Sequence, residues 1–232
     1  ILAQPNYYGI VEDYTGVADM CHARKAMFVM NAKPSALAVL KSPAEWSADI
    51  ACGDAQSLGI PMCYGGPYVG YLACNNANVR KLPGRIVGAT TDVDGKRAFV
   101  LTLQAREQHI RREKANSNIC SNQSLMALYV TMYMSVMGEQ GLKDACSLSY
   151  SGAHYLADAL VATGKCVMAF DKPFFNEFAV KTTVPAQKIL DTLASEGILG
   201  GVRIADDMLL ICVTEQRTKE DIDKFVETVK NI

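Results

Sequence analysis

The feature that most restricts the fold is a series of short, largely apolar runs near the start of the chain, each bounded by turn signals. ILAQ at 1–4, KAMFVMNA at 25–32 and ADIACGDA at 48–55 lie between Pro, Gly, Asn and Asp residues. Runs of roughly four to eight such residues between breakers are buried strands of a parallel sheet. PSALAVL and the Ser42 to Ser47 region read as turn and helix, and VGYLAC at 69–74 as a further strand. The opening of the chain is therefore expected to be an α/β sheet layer.

Gly65, Gly66, Pro67 and Gly70 end that pattern, and Asn75 to Arg97 is rich in Gly, Asp, Asn and cations, with DVDGKR as a hairpin turn between two short strands. Ser117 or Asn118 can cap a following helix, along which Leu125, Leu128, Tyr129, Met132, Tyr133 and Val136 recur at helical spacing until Gly138. A second helix is expected from about Leu142 to Thr163, ended by Gly164. The remainder reads as strands at Cys166 to Phe170 and Glu177 to Thr182, a helix from Pro185 to Glu196, a strand at Leu209 to Thr214 and a helix from Lys219 to Asn231. This is a small α+β unit. The expected division is 1–140, a large α/β domain, and 141–232, a small α+β domain, with the second helix bridging them.

With 232 residues, half of them hydrophobic, the chain can bury a substantial core. A formal net charge of −1 gives no global attraction to nucleic acid or an acidic membrane. A bilayer span needs roughly 18 or more uninterrupted apolar residues, and Leu125 to Met137, with Thr131 and Ser135 inside it, falls short. The start lacks an initiator Met and a signal-peptide pattern, as expected of a piece of a longer chain. Eight cysteines scattered among Ala, Met and Val with no C-x-x-C pair read as free thiols in a reducing cytoplasm, and no metal site is expected.

Two segments carry candidate chemistry. In the Leu58 to Gly70 loop, Tyr64-Gly65-Gly66-Pro67-Tyr68 can turn main-chain N–H groups toward an anion such as phosphate, and serves equally well as a plain structural turn. Arg106 to Gln123, REQHIRREKANSNICSNQ, brings four cations, two carboxylates and a histidine to a helix entry. Arg111 and Arg112 with Glu107 and Glu113 can form a self-neutralising surface network, or line a site between subunits. Asn6, in the turn after the first strand, stands where α/β sheets place ligand contacts. His22 and His154 read as core or surface residues within helices. Lys25, Lys33 and Lys81 all read as solvated surface residues.

These segments, together with QPNYYGIVED at 4–13, LGIPMCYGGPYVG at 58–70, LPGRIVGATTDVDGKR at 82–97 and FFNEFAVK at 174–181, run in one order along the chain. That order resembles the P-protein of the glycine cleavage system, glycine dehydrogenase (decarboxylating), and within it the subunit 1 branch. The resemblance implies an α/β, fold-type I pyridoxal phosphate-dependent transferase-like fold with a mainly parallel sheet. It also implies a heteromeric enzyme whose active site lies between subunits. In the family's catalytic subunit a lysine precedes a similar Ile-Pro and Gly-rich loop; counting back from Ile60, the position here is Gln56. A primary amide cannot condense with an aldehyde, whereas an amine of lowered pKa can.

The resemblance thus implies that pyridoxal phosphate is held covalently by the partner, glycine dehydrogenase subunit 2. This chain would complete the pocket in which glycine loses carbon dioxide and its aminomethyl group passes to the lipoylated H-protein. It places Tyr64, Gly65, Gly66, Tyr68 and Asn6 toward the partner-held cofactor and makes Gln108, His109 and Arg112 the catalytic candidates, with neither nucleic acid nor membrane involved. Arg80 to Arg85 would face the partner or the acidic carrier protein. A cytoplasmic, bacterial or archaeal setting follows from separate subunits. Two rivals stand beside this reading: a noncatalytic assembly module, and an autonomous pyridoxal phosphate aminotransferase or lyase.

Overall fold

The structure, a computed structural model, describes residues 1–84, 86–103, 108–115 and 123–232, without the side chains of Gln108 and His109. The three apolar runs form β1 (Leu2–Gln4), β2 (Val29–Ala32) and β3 (Ile50–Asp54), parallel neighbours in the order β1-β2-β3. β4 (Gly70–Cys74) closes that sheet antiparallel to β3, with Gly53 opposite Tyr71. Burial is one-sided: β3 is half-buried or exposed throughout, and Leu72 on β4 is exposed. The expectation of a buried strand is corrected for β3, which buries no residue, while Met30 and Ala32 of β2 mark the face that meets the core.

That core face is covered by α1 (Val17–Ala23) and the turns around it. Tyr14, Ala18, Phe28, Met30 and Ala32 pack together with Trp46, the Tyr14 ring edge-on to both Phe28 and Trp46. The expected helix at 42–47 does not form. Ser42 takes up the Glu45 carboxylate with its amide and hydroxyl, 2.7 Å each, as at a helix start, and the Trp46 amide donates to the Ser42 carbonyl at 3.3 Å, but Ser47 turns left-handed at φ 57° and ends the segment after that single turn.

The DVDGKR turn is as read. β5 (Ile86–Thr91) and β6 (Arg97–Thr102) pair antiparallel, Asp92 accepts from the Asp94 and Lys96 amides at 2.9 Å each, and Gly95 takes the left-handed backbone, φ 77°, that the turn requires. The short α2 (Gln108–Arg111) follows. The cap expected at Ser117 or Asn118 lies outside the described residues.

α3 (Ser124–Ala162) is one long helix bent at Gly138, whose φ 62° and ψ −177° leave the helical region, so the two expected helices meet there without a separating loop. Its second half covers a fully antiparallel sheet of β7 (Cys166–Met168), β8 (Glu177–Thr182), β9 (Val202–Ala205) and β10 (Met208–Cys212), in the order β7-β8-β10-β9. β9 is a strand with no clear apolar alternation in VRIA, held by its pairing to β10. α4 (Ala186–Ser195) and α5 (Lys219–Lys230) complete the layer. Thr218 and Asp221 form a reciprocal capping box at the start of α5.

The two sheets meet through a short zipper. The amides of Val11 and Phe175 donate to Pro173 and Gly9 carbonyls at 2.8 and 3.2 Å, and Ile10 bridges Phe174. Behind it Ala36, Cys146 and Phe175 form a small buried cluster, and His154 stacks on Phe174 with ring centroids 3.9 Å apart. None of the described helices is long and apolar enough to cross a membrane.

Candidate active site

Parallel strands leave their carboxyl ends at one edge of the sheet, and ligand contacts in such sheets gather there. Here β1 leads at that edge into the Pro5-Asn6 turn, β2 into Lys33, and β3 into the Gln56 to Pro67 loop, which returns as β4.

Asn6 is spent on the turn itself. Its Oδ1 accepts from the Tyr8 and Ile10 amides at 2.9 and 3.2 Å and its Nδ2 donates to Glu12 Oε1 at 3.2 Å. The buried Gln4 locks the same loop through paired bonds with the Glu12 backbone, 3.0 and 3.2 Å. Asn6 thus shapes the edge with every polar atom of its amide engaged.

The Gly-rich loop is a tight, exposed double turn. Cys63, Tyr64 and Gly65 take positive φ of 41°, 55° and 106°. The Gly65 and Gly66 amides donate to the Met62 and Cys63 carbonyls at 3.0 and 3.4 Å, so these two N–H groups close the loop and do not point outward. Tyr68 Oη donates to the Met62 carbonyl at 3.1 Å, and the Tyr64 side chain stands wholly in solvent. Of the two sequence readings, this backbone pattern favours the turn, with Tyr64 as its projecting group.

Gln56 lies where β3 gives way to this loop. Its side-chain Nε2 donates to the Ile60 carbonyl at 2.6 Å while its backbone N–H donates to Asp54 Oδ1 at 2.7 Å. Next to it the Ser57 hydroxyl is buried without a hydrogen-bond partner among the described residues. The residues at this position do not suit a covalently attached aldehyde cofactor: the side chain is a carboxamide, and it is tied down as a loop brace.

Lys33 departs from its expected solvated state. It is half-buried, its ammonium donates to Asn176 Oδ1 at 3.1 Å, and it lies 6.0 Å from the centre of the Phe175 ring. Asn176, 3% exposed, completes its amide by donating to the Val213 carbonyl at 2.8 Å and to Cys212 Sγ at 3.3 Å. Lys25 and Lys81 are exposed as expected. Two thiols flank the Lys33 junction. Burial, then the Glu215 carboxylate, raises Cys146 above its ordinary value, and Cys146 Sγ donates to the Ser35 carbonyl at 2.9 Å. Cys212 is exposed as a residue, but the atoms crowded near its sulfur, then Glu177, push that thiol up to about 11, with Lys33 pulling the other way. Both therefore stay protonated near neutrality and are poor ligands or nucleophiles. Among the described residues no group of three or more His, Cys, Asp or Glu side chains could hold a metal ion.

Arg112 sits just after α2 with a positive φ of 52°, exposed, and with no ion pair among the described residues. The structure places Gln108 and His109 on α2, and their side chains lie outside the described residues. Asn6, Gln56 and the Gly-rich loop share the sheet edge; no described contact joins Arg112 to them. Lys33 and Asn176 were missed as a pair. The one available signal was an Asn between aromatic and apolar residues in FFNEFAVK, a polar group that a buried setting must satisfy.

Comparison with known proteins agrees with this architecture. The family profile of the glycine cleavage system P-protein matches residues 1–229. A probable glycine dehydrogenase (decarboxylating) subunit 1 of Desulfitobacterium hafniense is 48% identical over 232 residues, covering 97% of this chain and 52% of the relative. One of the same description from Chlorobaculum parvum is 45% identical over 235 residues, covering 100% and 53%. The chain thus spans about half the length of the curated relatives it matches. A crystal structure of glycine decarboxylase (P-protein) in inhibitor-bound form superposes with a TM-score of 0.93 at 42% identity, over 99% of this chain and 54% of that one. A sphingosine-1-phosphate lyase of Burkholderia pseudomallei superposes with a TM-score of 0.67 at 15% identity, over 100% and 51%, and shows the shared fold alone. The fold is that of the fold-type I pyridoxal phosphate-dependent transferases, and the chain belongs to the glycine cleavage system P-protein family.

Proposed function

We propose that this chain is part of subunit 1 of a heteromeric glycine decarboxylase and completes the active site of a partner, subunit 2, that carries pyridoxal phosphate. The family supports the reaction: glycine loses carbon dioxide and its aminomethyl group passes to the lipoyl group of the H-protein. The observation that carries the division of labour is Gln56. At the loop position where the catalytic subunits bear lysine, a carboxamide braces the Ile60 carbonyl. The cofactor, when bound by the partner, supplies the electron sink for decarboxylation. This chain's part is to present a shaped edge: the Tyr64 to Tyr68 turn projecting toward the partner, Asn6 holding the neighbouring loop, and His109 and Arg112 at the mouth.

We place a domain boundary near residue 140, at the bend of α3, with 1–140 forming the large-domain part and 141–232 the small domain. The setting we infer is the cytoplasm.

The test is borohydride reduction of full-length subunit 1 with pyridoxal phosphate, alone and with subunit 2, followed by peptide mass spectrometry. The expected result is a reduced pyridoxyl adduct on the partner and none on this chain. An adduct on Lys33, the lysine held at the carboxyl edge of the sheet, would overturn the proposal in favour of an autonomous enzyme. A noncatalytic assembly role has its own support, since the Gly65 and Gly66 amides are used inside the loop. It predicts that altering Tyr64, His109 and Arg112 in the complex leaves turnover unchanged. Turnover lost with assembly intact excludes it.

A further inference from the structure

The first half of α3 is apolar on every side. From Ser124 to Gly138 no residue carries a charge. The inner face, Met126, Val130 and Tyr133, packs on Leu58, Ile60 and Val69. The outer face carries a second stripe in which Leu125 is 73%, Met132 60% and Val136 86% exposed, with Leu128 between them, a band about 17 Å long at the rise of an α-helix. Thr131 Oγ1 donates to the Ala127 carbonyl at 2.8 Å and Ser135 Oγ to the Thr131 carbonyl at 2.7 Å, so both hydroxyl protons are used within the helix. A helix hydrophobic all round belongs inside a protein.

Two occupants compete for the stripe, a separate subunit and the remainder of the same chain. A surface that meets its partner only transiently must tolerate water, and such interfaces are on the whole about as polar as ordinary surface, whereas permanent interfaces are as apolar as a core. The uncharged stretch therefore excludes a transient partner, and chain length is what favours the same chain over a permanent subunit. The relatives supply the other occupant, because this chain covers only 52% and 53% of two of them and 54% of the solved P-protein chain. The open, half-buried β3 and exposed Leu72 of the neighbouring sheet are a second surface of the same kind.

We propose that the outer stripe of α3 is an intrachain core surface, covered in the full-length protein by an apolar segment from the part of the same chain outside these 232 residues. The inference stands whether or not Gln56 has the role assigned above, since it rests on the helix and on chain length alone.

The experiment places the photoreactive residue benzoylphenylalanine at position 132 of the full-length protein in its assembled state, irradiates it and maps the product by mass spectrometry. The expected product is a crosslink to a peptide of the same chain outside the present residues, with the chain running at monomer mass under denaturing conditions. A crosslink to another subunit or to a second copy would overturn the proposal, as would reaction with solvent alone. The unaltered protein provides a variant-free check: oxidation of Met132 by peroxide should be slower than in the denatured chain by on the order of tenfold, against about twofold or less for a freely exposed side chain. Oxidation at nearly the denatured rate refutes burial. In a third arm, Val136→Glu should lower the Tm of the full-length chain by several degrees, on the order of 5 °C, and an unchanged Tm contradicts the proposal.

Discussion

The second half of α3 and the sheet beneath it contrast sharply with the region from β4 to the first half of α3. In the former, Ala153, Leu156, Ala157 and Leu160 on the helix close over Phe178, Val180, Leu209 and Ile211 on the sheet, with Ile189, Leu193, Phe225 and Val229 from α4 and α5 sealing the other sides. α4 and α5 each have one apolar face and one polar, charged face, and the second half of α3 turns Ala153, Leu156, Ala157 and Leu160 to the sheet. In the latter, Val87, Phe99, Val100 and Leu101 of the β5–β6 hairpin stand exposed, as does the outer stripe of α3. A lone two-stranded hairpin is marginally stable in water. Both regions carry exposed apolar residues, Leu148 and Leu199 among them in the former, so single exposed side chains do not separate them. What separates them is whether every apolar face has found a covering layer within the described residues.

The largest effect is expected where that closure is complete. Phe178→Ala removes a ring that is 1% exposed and should lower the stability of the full-length protein by about 3 to 5 kcal/mol in denaturant titration. A loss under about 1 kcal/mol would mean that the small unit is far less tightly packed than its contacts imply.

Next comes the joint between the two regions. Asn176→Leu leaves the Lys33 ammonium and the Val213 carbonyl without their amide partner, and should reduce stability by about 1 to 3 kcal/mol. The comparison sharpens if Lys33→Met in the same background restores part of that loss, because the unpaired ammonium is then gone; no recovery would show that Lys33 has other partners.

A smaller, pH-dependent effect is expected at the opposite end of the sheet. Asp49 accepts from His22 Nε2 at 2.8 Å, the Phe28 amide at 2.8 Å and Asn75 Nδ2 at 3.0 Å. The His22 bond, followed by the Phe28 and Asn75 bonds and working against desolvation, holds the Asp49 carboxyl below its ordinary value of 3.8. A folded-state pKa below the unfolded one contributes stability that is fully present above 3.8 and is lost as pH falls through the lower folded value. Denaturation midpoints measured against pH should therefore fall more steeply in this acidic window for the natural chain than for Asp49→Asn. Identical slopes would remove Asp49 as a contributor.

The smallest effect is expected in the open region. Val93, at the exposed tip of the hairpin, should be replaceable by Ser with a change within about 0.5 kcal/mol. A larger loss would show that the tip is covered in the full-length protein, which would extend the unclosed surface from α3 to the hairpin.

Much of the local structure could be read directly. The hairpin turn followed from DVDGKR and the break in the helix from Gly138, each because a side chain or a missing Cβ acts on backbone within a few residues of itself. The absence of an amine at position 56 was also legible, since it is a matter of residue identity. The helix expected at 42–47 was cut to one turn where Ser47 goes left-handed, and β9 was invisible because VRIA becomes a strand only when β10 offers its edge.

Chemical identity and short-range backbone preference were thus settled by the sequence alone: which residues can condense with a cofactor and where the chain must turn. Tertiary structure alone decided which polar groups meet. Lys33 and Asn176 are separated by 143 positions, and an ammonium that looks solvated beside Pro34 becomes half-buried only when the second sheet is brought against the first. Burial and hydrogen-bond satisfaction are properties of surfaces in contact, and those surfaces exist only once distant segments have packed.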